Sequence, residues 1–169
     1  MESPEGSFMH QFRSHDEKDR LLQFVQPGLI GLIDGTISTL APVFASAYLA
    51  GSRAALLVGM AAALGAAISM ALSEALSDDG VLTGRGSATL RGIIVGLSTF
   101  LGGTFHTLPF LIRDLQTALT VAYIVVVSEL FAIAWVRKRF LRVSLSRSLI
   151  QVTLGGALVA IVGSLVGHA

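Results

Sequence analysis

Three acids stand in surroundings where acids are expensive. Asp34, Glu74 and Glu129 interrupt or border stretches otherwise free of Asp, Glu, Lys and Arg. A charge at the centre of a membrane helix costs on the order of 2.5–3.5 kcal/mol, so an acid kept there marks an ion path or a proton relay. The spans that carry them hold no basic residue, so each carboxyl is expected to be protonated or to hold a cation. Met70 precedes Glu74 by four residues, which puts thioether and carboxylate on one helix face about a turn apart. Carboxylates alone suit magnesium, calcium and manganese, and a sulfur ligand shifts the preference towards softer transition metals. Asp34, Met70 and Glu74 are therefore the candidate metal ligands, and the chemistry they suggest is passage of a divalent cation.

Four further residues are candidates for metal binding or proton relay. Glu129 lies about two turns from one end of its span, and His106, within GGTFHTLP, carries an imidazole, a side-chain type suited to relaying protons. Asp78 and Asp79 stand in the link that follows Glu74. Each candidate also has a plainer role. Glu74 is shallow enough to reach the interface, and Met70 can simply pack. Glu129 and His106 can fasten helix to helix, and Asp78 and Asp79 can cap a loop. His10, His15, Asp16, Glu17 and Asp19 can gather metal at a pore mouth or merely be solvated.

The elements that position these residues follow from apolar length. Of 169 residues, 53% are hydrophobic and only 14% charged, against about 25% charged in soluble domains. Five spans of bilayer length result, at about 27–50, 54–76, 92–112, 115–136 and 148–167. The first apolar stretch, 21–52, would reach roughly 48 Å as one helix, too long for a single crossing. Pro27 is expected to break it, leaving an interfacial turn at 21–26. With the N-terminus in the cytoplasm and the C-terminus outside, only Arg53 and Arg113 of the 12 basic residues face outward, a strong positive-inside bias. On this orientation Asp34, Glu74 and Glu129 all fall in the inner half of the membrane. The expected fold is an all-α integral membrane bundle of five transmembrane helices, with 1–20 a solvated cytoplasmic arm and 21–169 the transporter domain.

Other features narrow the function. The chain has no cysteine and a formal charge of +1, which excludes thiolate sites and gives no argument for nucleic acid. There is no phosphate-binding loop, nucleophile elbow or His-Glu-x-x-His pair, so neither an ATP-driven pump nor an enzyme is expected. Gly31 with Gly35 and Gly92 with Gly96 form small-x-x-x-small pairs that allow close helix packing, within the bundle or at a dimer seam. Pro42 and Pro109 free backbone carbonyls inside spans, a feature of helices that flank transport sites as well as of passive kinks.

Three segments together carry a resemblance: GLIDGTISTLAPVFA at 31–45, ISMALSEALSDDG at 68–80 and LGGALVAIVGSLVG at 154–167. They resemble the vacuolar iron transporter family, with Asp34 on its first-span acid, Met70 on its second-span methionine and Glu74 on the glutamate that follows. VQPGLIGLIDG, EALSDDGVLTGRGS and GGTFHTLPFLI are similar to the membrane half of the bacterial membrane-bound ferritins, which are iron exporters. The resemblance implies a five-span homodimer in a bacterial inner membrane that moves Fe²⁺, and often Mn²⁺, out of the cytoplasm, with proton uptake in the vacuolar members. No permanently bound cofactor is implied, since the metal is the cargo. The chain departs from both groups: the 77–91 link is too short for the glutamate-rich insert of the vacuolar members, and only a short arm stands where the ferritins carry their ferritin-like domain. A separate ferritin-like partner, or a missing domain, is therefore expected to supply iron. The alternative is a non-transporting membrane anchor for such a partner, docked through the basic 137–147 link.

Overall fold

A computed structural model describes residues 18–168; His10, His15, Asp16 and Glu17 lie outside the described residues. Every long element is a helix: α1 (Gln26–Ser77), α2 (Ala88–Phe105), α3 (Leu115–Leu141) and α4 (Leu145–Gly167). With the helical residues just before α1 counted in, these four are long and apolar enough to cross a membrane. Large apolar side chains such as Leu57, Leu76, Leu97, Val127, Leu154 and Leu165 point outward, an arrangement that acyl chains tolerate and water does not.

α1 contains a reversal. Gly51 adopts φ 83° and ψ −176° inside it, a conformation that side chains of L-residues rarely enter. Contacts on either side show what this does. A Cβ on Gly59 would meet Val43 Cγ2 at 2.8 Å, and one on Gly103 would meet both Thr39 Cγ2 and the Ala63 Cβ. Residues equally far before and after Gly51 are thus neighbours, and α1 is two antiparallel arms, 26–50 and 52–77, lying side by side.

α2 is clasped between these arms. On one side, Gly31 packs on Val95 and Gly35 on Thr99; on the other, Gly92 packs on Ala71 and Gly96 on Ala67. The small-residue pairs seen in the sequence are thus consumed inside the bundle, where lipid supplies no hydrophobic drive and close backbone approach must do the holding. α4 lies along the first arm, with Gly163 against Ala41 and Gly167 against Ala45. α3 closes the bundle through Tyr123, stacked on Phe44 at 4.7 Å between ring centroids and hydrogen-bonded to the Tyr48 hydroxyl at 2.8 Å.

Two prolines act differently from expectation. No break occurs at Pro27. The helix runs through it, preceded by a wide π-helical turn at Leu21–Val25 in which the Gln26 N–H reaches Leu21 O. A proline ring crowds the carbonyl four residues earlier, and a widened turn relieves that crowding without ending the helix. Pro109 does end one. α2 stops at Phe105 instead of continuing through the expected 92–112 stretch, and a short 3₁₀ turn, Leu108–Leu111, follows. Pro109 has no N–H to offer Phe105 O and disfavours helical geometry at Leu108. At the other end of α2 the Ser87 hydroxyl accepts the Leu90 N–H as an N-cap, so the helix begins before Arg91.

Candidate functional site

That early start puts Arg91 inside α2, where its side chain is fully buried. Its Nε donates to Glu74 Oε1 at 2.7 Å, Nη1 donates to Gly86 O at 2.8 Å and Arg85 O at 3.1 Å, and Nη2 donates to Asp78 O at 2.7 Å. Arg85 adds a second ion pair to Glu74 Oε1 at 2.8 Å. The expectation that Glu74 has no basic partner is therefore corrected: it has two. A count of charges along the chain assigned both arginines to the loop, but Arg91 is three residues into the helix and one turn of antiparallel packing carries it to Glu74. Both arginines engage Oε1, and among the described residues Oε2 carries no ion pair.

Asp78 and Asp79 shape the connection that follows. Asp78 Oδ1 accepts the Gly80 N–H at 2.8 Å, Oδ2 accepts the Thr83 hydroxyl at 2.7 Å, and Asp79 Oδ1 accepts the Val81 N–H at 2.9 Å. The Thr83 and Gly80 hydrogen bonds, with Arg91 and Arg85 nearby, hold the Asp78 carboxyl below the usual 3.8. A depressed carboxylate stabilises the fold above its unfolded value, and that contribution is lost as pH falls through the folded value. The thermal midpoint of Asp78→Asn should accordingly lie below that of the parent by a constant amount above about pH 5, and the gap should close below pH 3.8. Thermal scans across pH check this; a gap that persists at the acid end would refute it.

A second polar cluster lies at the opposite end of α2. His106, fully buried, is 3.0 Å from Glu129 Oε2 through Nδ1 and 2.9 Å from Thr39 Oγ1 through Nε2. The Thr39 hydroxyl donates to Gly35 O at 2.7 Å. Glu129 Oε1 is buried and has no hydrogen-bond partner among the described residues. The triad ties the first arm, α2 and α3 together, so Glu129 and His106 do fasten helices. It also corrects the depth assigned to Glu129. At 1.5 Å per residue, roughly 22 Å of α2 separates Arg91 from His106, so Glu129 and Glu74 do not share one half of the bundle.

Asp34 and Met70 fall between these clusters. Asp34 adjoins Gly35, which packs on Thr99, and Met70 adjoins Ala71, which packs near Gly96; the two are thus within about one turn of each other along the bundle axis. Both are half-buried. Asp34 makes no hydrogen bond or ion pair among the described residues. No group of three or more His, Asp or Glu side chains able to hold a metal forms among the described residues. One chain brings Asp34 and Met70 to one level and keeps Glu74 a turn or more away, engaged with arginines.

The residues that sequence reasoning missed are Arg91, Arg85 and Thr39. An N-cap serine, Ser87, is the one local signal that could have marked Arg91 as helical, and nothing local could have marked Thr39. The sequence model of the VIT family matches residues 75–168, more than half of the chain. That stretch holds Asp78, Asp79, Arg91, His106 and Glu129 and begins one residue after Glu74. No curated protein and no solved structure matches the chain.

Proposed function

The chain belongs to the VIT family, and from that premise we propose that it carries a divalent transition metal, Fe²⁺ or Mn²⁺, out of the cytoplasm in exchange for protons. Metal-ion transport across a membrane is what the family suggests, and the multi-pass helical bundle suits it. The observation that carries the finer reading is Asp34: a carboxylate at membrane depth, half-buried and without an ion-pair partner among the described residues, level with the Met70 thioether. Carboxylate and thioether together favour a borderline metal such as Fe²⁺ over Mg²⁺ or Ca²⁺. Glu74 joins them at the entrance through Oε2, with Arg85 and Arg91 setting its orientation. The two arms of α1 serve as two crossings, which makes five in all, with the N-terminus in the cytoplasm as the distribution of basic residues supports. Because one chain offers too few donors to enclose an ion, a second copy completes the site, in keeping with the resemblance to homodimeric transporters. The bacterial inner membrane and a ferritin-like iron donor are further parts of this proposal.

The test is metal uptake by inside-out vesicles under a pH gradient. Asp34→Ala should lower the initial rate by about tenfold or more, the range expected when a metal's ligand shell is broken. Unchanged uptake would remove the central assignment. The pairing of Glu74 and Glu129 within the bundle favours one rival, a non-transporting anchor for a ferritin-like partner. That rival predicts no metal uptake by the parent chain and full growth under iron stress with all three acids replaced.

A further inference from the structure

We propose that the His106–Glu129 pair holds the proton that is exchanged for the metal, an inference that rests on the metal–proton exchange proposed above. The hydrogen bonds dictate the proton count. The Thr39 hydroxyl has one proton and gives it to Gly35 O at 2.7 Å. Towards His106 it is therefore an acceptor, and Nε2 carries a hydrogen. One more proton lies between Nδ1 and Glu129 Oε2, 3.0 Å apart. It sits either on the carboxyl, beside a neutral imidazole, or on the ring, beside a carboxylate. Both arrangements are uncharged overall, as burial in an apolar bundle requires.

Loss of that proton changes everything around it. The Nδ1–H or Oε2–H bond breaks, the proton passes to water, and the Nδ1 lone pair is left facing a carboxylate oxygen. The two acceptors repel, and the pair must open. His106 is also bonded to Thr39, and Thr39 to the carbonyl of Gly35, the residue after Asp34. Proton occupancy is thereby tied to the position of the first arm at the candidate metal ligand. Two more observations mark this seam as more than a fastening. Among the described residues Glu129 Oε1 is buried without a partner, and so are the hydroxyls of Thr36 and Thr99, which stand between the level of Asp34 and His106 where the first arm meets α2. A pair built solely to hold helices together has no use for a spare carboxylate oxygen and a row of unengaged hydroxyls.

The neighbours add no competing charge. The first arm presents Thr39 to the pair, the second arm presents Gly59 and Ala63 at this level, and α3 presents Glu129 itself, with Tyr123 bonded instead to Tyr48. Among the described residues no Asp, Lys or Arg makes an ion pair with His106 or Glu129.

The experiment uses the full chain in liposomes with a trapped pH indicator and Mn²⁺ as the probe. The quantity read is protons moved per Mn²⁺. In Glu129→Gln that ratio should fall at least about tenfold, since a positioned proton-transfer group contributes at least that much. A merely structural role would depress both flows together, and an unchanged ratio overturns the proposal. If the parent chain moves Mn²⁺ with no proton counterflow, the exchange reading itself fails. Should Glu129→Gln not insert, infrared difference spectra of Asp34→Asn between about pH 5 and pH 9 decide the matter. Bands that titrate in Asp34→Asn and vanish when His106→Gln is added to it support the assignment, and identical spectra overturn it.

Discussion

Arg91→Met is expected to lower the thermal midpoint in detergent by about 10 °C or more and to reduce the yield of folded protein sharply. Glu74 keeps Arg85 as a partner, so the loss falls on the backbone carbonyls that only Arg91 serves, and each buried acceptor left unsatisfied costs about 1–3 kcal/mol; in a chain of this size each kcal/mol shifts the midpoint by about 2–4 °C. Arg91 is a strong case. Its side chain has no exposure, and beyond Glu74 it satisfies the carbonyls of Asp78, Arg85 and Gly86, three backbone acceptors of a loop with no regular structure of its own. Methionine fills the volume and satisfies none of them. Lysine restores the charge but not the planar fork of donors, so Arg91→Lys should fall between the two. A midpoint within about 2 °C of the parent for Arg91→Met would show that the network contributes almost nothing.

Gly35→Ala should be nearly as damaging, for a reason that involves no charge. A Cβ at Gly35 would collide with the carbonyl oxygen of Thr99 and come within 2.9 Å of its Cα. The obstacle is backbone, so no rotamer change relieves it, and the first arm must move away from α2. Overpacking typically costs about 1–3 kcal/mol, and this site belongs at the upper end. The displacement also pulls Thr39, one turn on, away from His106, so proton coupling should suffer with stability. Gly65→Ala is the control. Nothing lies within 4 Å of the added methyl group, and the gain in helix propensity should raise stability by up to about 1 kcal/mol. The two variants add the same atom to glycines of the same helix, and differential scanning of both reports what the close approach is worth. Equal midpoints would mean that the arm and α2 slide apart freely.

Much of this was open to reading in one dimension. A helix in lipid must satisfy its own backbone and show the acyl chains an apolar surface, so lengths and charges along the chain reveal the helices directly. The ends were not: the third span was expected to run through Pro109, and the caps at Ser87 and Asp114 were read only from the fold. The individual acids were legible too, because a carboxyl costs free energy in that setting wherever it is placed.

Their partners were not. Glu74 meets Arg91 across 17 residues, His106 meets Glu129 across 23, and His106 meets Thr39 across 67, and no local pattern encodes which turns of which helices become neighbours. That was decided by backbone contacts at Gly31, Gly35, Gly92 and Gly96, which set the register of α2 between the two arms of α1. The amino-acid order alone determined a helical membrane protein with costly acids in its helices. Tertiary structure decided which of those acids is neutralised by arginine, which is hydrogen-bonded to histidine, and which, at Asp34, has no partner among the described residues. The physical reason is that burying a charge is a property of one residue, while compensating it requires a second residue at less than about 4 Å, and only packing brings the two together.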